Sequence, residues 1–457
     1  MSSTRHLEAR PLSLRTVLMR GVTAALTSPA RRKLARDLAA MRAKLRGEKP
    51  TVRYFHQADD PYSHLAAQML PRLRARYDVE IAAWLVPPPQ DSAAPDRERL
   101  RDYGLRDAAR LACARGLGFP AKAALPDPEA VRRLEVVLAD ALERGRFEEV
   151  ASAAGAALWS GDARTLAGMA AWASGQDPRQ VDDILIAGQM QRVRLGHYLG
   201  GMFHFEDEWF WGVDRLGWLE RRLADRGLDR EAAAPPLAPA LEPTPSPPLG
   251  LAAPTIELWF SFRSPYSWLV LPRIRQLAQA YGAKLELRPI LPMVMRGLAV
   301  PRVKTLYIAL DCKREAERLG LRFGKIVDPV GAGAERALAV LHHAIPLGLG
   351  EDFAELGLKA AFADGIALAE DAGLHAVARR AGLTDAQVSA ALADESWRDR
   401  VETNRAALLD AGLWGAPSFR VSGQPAHWGQ DRLWMLEDDI RAAMEPMRGY
   451  APNGLSG

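Results

Sequence analysis

An internal repeat is the sequence feature that most constrains the fold. The tripeptide Pro-Tyr-Ser occurs at residues 61–63 and again at 265–267, 204 positions later. The pattern Trp-Gly-x-Asp-Arg-Leu occurs at residues 211–216 and again at 428–433, 217 positions later. Chance matches in the same order and at nearly the same spacing are very improbable. The sequence therefore predicts a duplicated domain whose second copy is 13 residues longer than the first.

The order of predicted elements is the same in both copies. In the second copy, apolar runs predict strands near residues 255–262 and 284–290, with a helix over residues 265–281 between them. A long helical block over residues 302–409 follows, and two short strands and a last helix complete the copy. A β-α-β start and a β-β-α end predict an α/β fold, in which each copy is a thioredoxin-like domain with a helical insertion.

Composition divides the chain into four segments. Residues 231–254 are rich in Pro and Ala, a composition that favours extended chain and predicts a linker. The linker separates a first domain, residues 51–230, from a second, residues 255–450. Residues 1–50 hold 12 Lys and Arg against 3 Asp and Glu, and we expect them to form a basic helical extension.

The basic extension contains a narrow apolar stripe. Leu34, Leu38, Met41 and Leu45 follow helical spacing among the charged residues. Such a stripe can dock on an anionic membrane surface, or it can pack against the first domain. We favour packing, because the stripe is narrow and carries no aromatic residue.

Charge and composition exclude several classes of function. The net charge is only +4 over 457 residues, and the part after residue 50 is net negative, which argues against a nucleic-acid partner. No apolar run is long enough to span a bilayer, so no stable membrane insertion is expected. Cys113 and Cys312 form no C-x-x-C pair, which argues against a disulfide framework and favours a reducing, cytoplasmic location.

A metal site is not predicted. His197, His204, Glu206 and Glu208 lie close together in the sequence, but their spacing matches no standard zinc pattern. The aromatic residues around them favour core packing instead.

The second copy contains a candidate site at a strand-to-helix junction. Ser264 suits a helix N-cap and Pro265 the first helical position, so the Ser264 hydroxyl is expected beside free N–H groups and the positive end of a helix dipole. A thiolate would be stabilised there; the alternative is that Ser264 serves only as a cap. The first copy has Asp60 at this position, which indicates a degenerate site.

Four motifs in the second copy carry a resemblance to a known family. The copy resembles the 2-hydroxychromene-2-carboxylate isomerases and the kappa-class glutathione transferases, within the DsbA-like thioredoxin superfamily. The motifs are Ser-Pro-Tyr-Ser-Trp-Leu at 264–269, Leu-Arg-Pro at 287–289, Gly-Ala-Pro-Ser-Phe at 415–419 and Trp-Gly-Gln-Asp-Arg-Leu at 428–433. Residues 51–226 look like a weaker relative of the same family.

The resemblance implies a glutathione site. Ser264 matches the serine that holds the glutathione sulfur as a thiolate, and Pro417 matches the thioredoxin-type cis-proline, preceded by Ala416, whose backbone would pair with the cysteinyl unit. The loop that binds the γ-glutamyl end matches Trp428, Gly429, Gln430 and Asp431. Asp431 also suits an N-cap for the last helix. The first copy has Gly200-Gly201 where the second has Ala416-Pro417, and we expect a cis peptide bond in the second copy alone.

The resemblance also implies a substrate and a reaction. The family's thiolate adds reversibly to an aromatic α-keto acid or its hemiketal, and Lys304 and Tyr307 match positions near the substrate; both also suit ordinary helix surface and core. The family's asparagine is absent from the loop at residues 289–297. A glutathione-dependent isomerase is therefore expected, acting on a small aromatic molecule as a homodimer or an intramolecular pseudo-dimer. A kappa-like glutathione transferase and a non-catalytic thioredoxin-fold scaffold are the alternatives, whereas the missing C-x-x-C argues against a dithiol oxidoreductase.

Overall fold

The computed structural model describes residues 14–173, 177–246 and 253–444. Parts of all four predicted segments lie outside these residues: 1–13 of the basic extension, 174–176 of the first domain, 247–252 of the linker and 445–450 of the second domain. Among the described helices, none is both long and apolar enough to cross a membrane.

The chain forms two compact units. The first unit comprises residues 22–240 together with residues 296–314. The second comprises the described residues among 1–21, 241–295 and 315–457. Each unit contains one four-stranded sheet.

Helices and four short strands make up the described part of the chain before the linker. In chain order the elements are α1 (Leu14–Leu26), α2 (Pro29–Leu45), β1 (Thr51–His56), α3 (Pro61–Ala67), α4 (Leu70–Arg76), β2 (Glu80–Leu85), α5 (Arg97–Arg115), α6 (Pro128–Glu143), α7 (Phe147–Ser160), α8 (Ala163–Trp172), α9 (Pro178–Arg194), β3 (Met202–Phe205), β4 (Glu208–Trp211) and α10 (Leu216–Asp225).

The part after the linker repeats this order. Its elements are β5 (Thr255–Phe260), α11 (Pro265–Tyr281), β6 (Lys284–Pro289), α12 (Arg302–Arg318), α13 (Ala332–Ala344), α14 (Gly350–Lys359), α15 (Asp371–Arg380), α16 (Asp385–Ala393), α17 (Trp397–Asp410), β7 (Ser418–Val421), β8 (His427–Trp428) and α18 (Leu433–Met444). The predicted helical block is thus a series of separate helices, α12 to α17.

The two sheets have the same topology. The strand order is β2-β1-β3-β4 in the first and β6-β5-β7-β8 in the second. In each, the first two strands are parallel and the remaining pairs are antiparallel. The predicted α/β fold is confirmed.

The helix after the first strand differs between the copies. A continuous helix is predicted in both, and α11 is continuous although it contains Pro272. In the first copy the helix is interrupted between α3 and α4, and Pro71 lies in the first turn of α4. Proline has no N–H to donate to the preceding turn, so it favours a new helix start at this point.

A tyrosine and a buried glutamate hold the linker segment in each unit. In the first unit, Glu220 accepts hydrogen bonds from the Tyr77 hydroxyl at 3.0 Å and from the backbone N–H groups of Leu237 and Ala238 at 2.7 and 3.0 Å. Charge-assisted hydrogen bonds of this kind are stronger than neutral ones. The adjoining linker is therefore held against the unit's last helix.

The second unit uses the same device at equivalent positions. Glu437 accepts hydrogen bonds from the Tyr281 hydroxyl at 2.8 Å and from the backbone N–H of Thr244 at 2.6 Å. Tyr281 follows Tyr77 by the offset of the Pro-Tyr-Ser repeat, and Glu437 follows Glu220 by the offset of the second motif. The described linker thus makes specific contacts in both units, which its composition did not predict.

The start of α12 belongs to the first unit, where a buried carboxylate pairs with two arginines. Asp311 is fully buried. It accepts two hydrogen bonds from the Arg215 guanidinium, at 2.8 and 2.9 Å, and one from Arg314 at 3.2 Å. Arg314 also donates to the Trp209 carbonyl at 2.8 Å.

The apolar stripe of α2 is exposed. Leu34, Leu38, Met41 and Leu45 are 37–78% exposed, so the interpretation that they pack against the first domain is wrong. The opposite face points inward, because the Arg36 guanidinium binds the Glu208 carboxylate through two hydrogen bonds of 2.8 and 3.0 Å.

Replacing Asp311 by Ala is expected to lower the free energy of unfolding by about 3–5 kcal/mol, because two buried guanidinium groups lose their carboxylate. Urea denaturation of the intact chain, followed by circular dichroism, measures the change. Asp37→Ala is the control, since Asp37 pairs with Lys33 on an exposed helix face and should change stability by less than about 1 kcal/mol. Equal losses in the two variants would contradict the role assigned to Asp311.

Candidate active site

Ser264 caps the helix that follows the first strand of the second sheet. Strand β5 is almost entirely buried. The chain then turns, and Ser264 takes an extended conformation while its Oγ accepts a hydrogen bond from the Ser267 N–H at 3.2 Å. With Pro265 at the first helical position, the predicted N-cap is confirmed.

The same hydroxyl contacts the loop before β7. Ser264 Oγ donates a hydrogen bond to the Ala416 carbonyl at 3.0 Å. The Ala416–Pro417 peptide bond is cis, as predicted, and no other described peptide bond is. The Pro417 carbonyl accepts a hydrogen bond from the Gly429 N–H at 3.0 Å. The fold thus brings together Ser264, Ala416, Pro417 and Gly429.

The Ala416 backbone offers a pairing edge. Its carbonyl accepts the Ser264 hydroxyl, and within the described ranges its N–H has no hydrogen-bond partner. An extended peptide can pair with such a donor and acceptor as an added strand does. The site therefore combines a peptide-pairing edge with a helix N-terminus, which favours negative charge.

Trp428 lies beside this loop and packs on other protein groups. Its ring lies 4.8 Å from the Trp414 ring in an edge-to-face arrangement. A Cβ at Gly415 would overlap the Trp428 indole. Glycine is therefore required at residue 415 for the indole to lie against the backbone.

Gln430 is engaged by protein partners. It is 1% exposed, its Oε1 accepts a hydrogen bond from Arg273 at 2.9 Å, and its Nε2 donates to Glu315 at 3.1 Å and to Asp431. Glu242 closes a ring of contacts by binding both Arg273 and Arg318, while Arg318 binds Glu315. The side chain predicted to contact a ligand therefore joins a buried network.

Asp431 lies within the short 3-10 helix Gln430–Arg432, and α18 begins two residues later at Leu433. Its carboxylate accepts a hydrogen bond from the Gln430 side chain. The position of Asp431 is thus coupled to that of Gln430.

Lys304 and Tyr307 belong to the first unit, whereas Ser264 belongs to the second. Lys304 Nζ donates to the Ala93 carbonyl at 2.9 Å, and burial lowers its pKa to about 8. The Tyr307 ring lies 4.8 Å from that of His197 and packs on a hydrophobic cluster of the first unit. Tyr307 is therefore a packing residue in the first unit.

An asparagine that sequence reasoning missed holds the end of β6. Asn404 on α17 is fully buried, and its Nδ2 donates to the Pro289 carbonyl at 3.0 Å. The backbone carbonyl of Asn404 accepts a hydrogen bond from the Trp259 indole at 2.8 Å. Only its burial and long-range contacts reveal this role, since 115 residues separate Asn404 from Pro289.

In the first unit the corresponding position carries a carboxylate. Asp60 caps α3 by accepting hydrogen bonds from the Ser63 N–H at 2.9 Å and the Ser63 hydroxyl at 2.7 Å. Gly201, in the left-handed region, fits closely beside it, since a Cβ there would lie 3.2 Å from Asp60 Oδ2. Burial raises the pKa of Asp60 to about 6, against opposing hydrogen bonds from Ser63. A carboxylate in this position would repel a thiolate.

No metal cluster is found in the part of the chain that the structure describes: no group of three or more His, Cys, Asp or Glu side chains is placed to hold an ion. The His197 ring stacks on the Tyr198 ring, with 5.0 Å between the ring centroids.

Comparison with known proteins identifies the second half of the chain. Residues 255–441 match the family model described as a DSBA-like thioredoxin domain. Among curated proteins, the chain is similar to the 2-hydroxychromene-2-carboxylate isomerases of Pseudomonas sp. (strain C18) and Pseudomonas putida. Identity is 24% in both cases, over 203 and 190 residues, which is 42% and 40% of this chain and 92% of each relative.

Solved structures also resemble the chain over about the same extent. One is a 2-hydroxychromene-2-carboxylate isomerase, with 22% identity over 41% of this chain and 95% of that chain and a TM-score of 0.37. Another is the cytosolic disulfide reductase DsbM from Pseudomonas aeruginosa with GSH, with 19% identity over 42% of this chain and 97% of that chain and a TM-score of 0.32.

The stability of the first unit should depend on pH through Asp60. The folded protein binds the Asp60 proton more tightly than the unfolded chain, so this contribution to stability is full below about pH 4 and is lost as the pH rises through about 6. The Asp60→Asn variant stays neutral at this position. Its free energy of unfolding should equal that of the parent near pH 4 and exceed it at pH 7.5 by up to about 3 kcal/mol.

Urea denaturation at the two pH values measures this difference. Asp91 is exposed, so the Asp91→Asn variant is the control. Its free energy of unfolding should differ from that of the parent by the same small amount at both pH values. A constant offset between the Asp60→Asn variant and the parent would contradict a raised Asp60 pKa.

Proposed function

We propose that this protein is a glutathione-dependent isomerase that acts at Ser264 of its DsbA-like domain. The observation that carries the proposal is the Ser264 hydroxyl, which lies at the N-terminus of α11 and contacts the carbonyl that precedes the cis-proline. The similarity to curated isomerases over 92% of their length supports an isomerase. The substrate class proposed is an aromatic α-keto acid or its hemiketal.

Part of the site fits glutathione. Ala416 has an unpartnered N–H within the described chain and a carbonyl held only by a side-chain hydroxyl, which suits the backbone of a cysteinyl unit. Gln430 does not fit as a direct contact, because both ends of its amide bind protein partners. We therefore assign the cysteinyl unit to Ala416 and Ser264 and make no assignment of the γ-glutamyl end to Gln430.

Bound glutathione would supply a nucleophilic sulfur for reversible addition to a conjugated double bond. The chain's own contribution is electrostatic. The N-terminus of α11 stabilises negative charge beside Ser264, and one charge-assisted hydrogen bond from the hydroxyl adds to this effect. Both contributions lower the pKa of a thiol placed there.

Ser264 must exchange partners to act in this way. Its hydroxyl proton is donated to the Ala416 carbonyl. A backbone N–H from a paired cysteinyl unit would replace the hydroxyl on that carbonyl and leave Ser264 able to donate to the sulfur. Peptide pairing and thiolate stabilisation are thereby coupled through one carbonyl group.

We propose that the first unit is a duplicated copy of the domain that no longer binds glutathione. The matched sheets and tyrosine–glutamate pairs support a domain duplication, and Asp60 in place of Ser264 supports the loss of glutathione binding from the first copy. Cys113 and Cys312 form no disulfide, which is compatible with the reducing location that a glutathione-dependent enzyme needs.

Ser264→Ala is expected to lower turnover of arylidene pyruvates about 10- to 100-fold, because one hydrogen bond to a charged group contributes about 1.5–3 kcal/mol. Glutathione binding, measured by calorimetric titration, should persist with weaker affinity. Loss of the N-cap should lower stability by only about 1 kcal/mol, so the variant stays folded.

Asp60→Ala is the position-matched control from the first unit and should leave glutathione affinity and turnover unchanged. Absence of binding by the parent protein at millimolar glutathione would remove the glutathione-dependent proposal. Unchanged turnover in Ser264→Ala would leave Ser264 a helix cap only.

A further inference from the structure

The first unit contains a buried guanidinium without a carboxylate partner. Arg192, in the last turn of α9, is 2% exposed. Its Nη2 donates to the Pro87 carbonyl at 3.1 Å, while its Nε and Nη1 have no partner in the described ranges. Burial lowers the pKa of Arg192 to about 10, and the group remains charged at neutral pH.

Five other buried arginines of the described chain are paired with carboxylates. Each of the following lies in a hydrogen bond or ion pair with Asp or Glu: Arg76, Arg215, Arg222, Arg314 and Arg336. An uncompensated buried charge costs several kcal/mol. The position of Arg192 is therefore best explained by an anion that binds to it.

A close helix contact fixes where Arg192 points. A Cβ at Gly188 would overlap the Leu85 carbonyl oxygen, so α9 approaches the end of β2 at backbone distance. Arg192 lies one turn further on the same helix face. Its guanidinium thus meets the chain as it leaves β2, at Pro87.

The first unit has other polar groups on the segments that follow β2 and α9 and on α12. His197 is 2% exposed, and its Nε2 has no partner among the described residues. Burial is the main cause that lowers the pKa of His197, and the nearby positive charge of Arg192 lowers it further. Lys304 donates to Ala93 in the loop that follows β2. The buried Trp84 Nε1, at the end of β2, also has no partner in the described ranges.

The same region is lined by aromatic rings. The His197 ring lies 4.7 Å from that of Trp209 and 4.8 Å from that of Tyr307. Trp84, Trp209 and Tyr307 pack on one hydrophobic cluster, and Lys304 precedes Tyr307 by one helical turn. Aromatic walls around a cation favour a flat, anionic ligand.

We propose that the first unit binds a small aromatic carboxylate, with the carboxylate on Arg192 and the ring among His197, Trp84 and Tyr307. Lys304 adds positive charge near the loop that follows β2. This site lies within the first unit and does not depend on the activity proposed for Ser264.

Thermal denaturation of the full chain tests the proposal with sodium benzoate, neutral benzamide and inorganic phosphate at matched ionic strength. Benzoate should raise Tm saturably, as expected for a ligand that binds only the folded state. Benzamide, which has the same shape without the charge, should have no effect. Equal shifts with phosphate and benzoate would overturn the aromatic assignment, and no shift with benzoate would overturn the site.

Arg192→Met separates this site from any other. The variant should be at least as stable as the parent without ligand, because an unpaired buried charge is removed, and it should lose the benzoate shift. Lys304→Met should weaken benzoate binding several-fold and provides a second test if Arg192→Met does not fold. Arg144→Met, at an exposed arginine, is the matched control.

Ser264→Ala should keep the full benzoate response, which distinguishes this site from the proposed active site. A benzoate shift that persists in Arg192→Met would overturn the assignment to Arg192.

Discussion

The hydrogen bond from the Ser264 hydroxyl to the Ala416 carbonyl is the interaction on which the candidate site depends. It joins the N-terminus of α11 to the loop before β7, two segments separated by 152 residues of sequence. The parallel pair β5 and β6 places the helix, and the antiparallel partner β7 places the loop. A hydroxyl, a helix dipole and a peptide edge converge only because the sheet brings these ends together.

The first unit preserves the frame and changes the chemistry. The hydroxyls of Ser63 and Ser267 accept hydrogen bonds from the backbone of Gln57 and Ser261 at the equivalent turns. The variable position is the cap, where Asp60 replaces Ser264. A carboxylate caps a helix as well as a hydroxyl does, so the substitution keeps the fold while it removes a thiolate-compatible environment.

Local signals in the sequence predicted the strands and the two helix starts, whereas the family resemblance implied the cis-proline. The local signals were sufficient because N-caps, prolines and apolar runs act within a few residues. The network around Gln430 was not predictable, since Glu242, Arg273 and Glu315 come from distant parts of the chain. The same reason applies to Arg192, whose isolation depends on the absence of a carboxylate among residues that only the fold brings near. The exposed stripe of α2 was misread because Arg36 and Glu208 orient the helix by a contact 172 residues apart.

A crystal structure of the intact protein with glutathione tests the central claim most directly. The account predicts one glutathione molecule in the second unit, with its sulfur within hydrogen-bonding distance of Ser264 Oγ and its cysteinyl backbone paired with Ala416. It predicts no glutathione at Asp60. Glutathione bound at Asp60, or a second unit in which Ser264 still donates to Ala416 while glutathione lies elsewhere, would contradict the account.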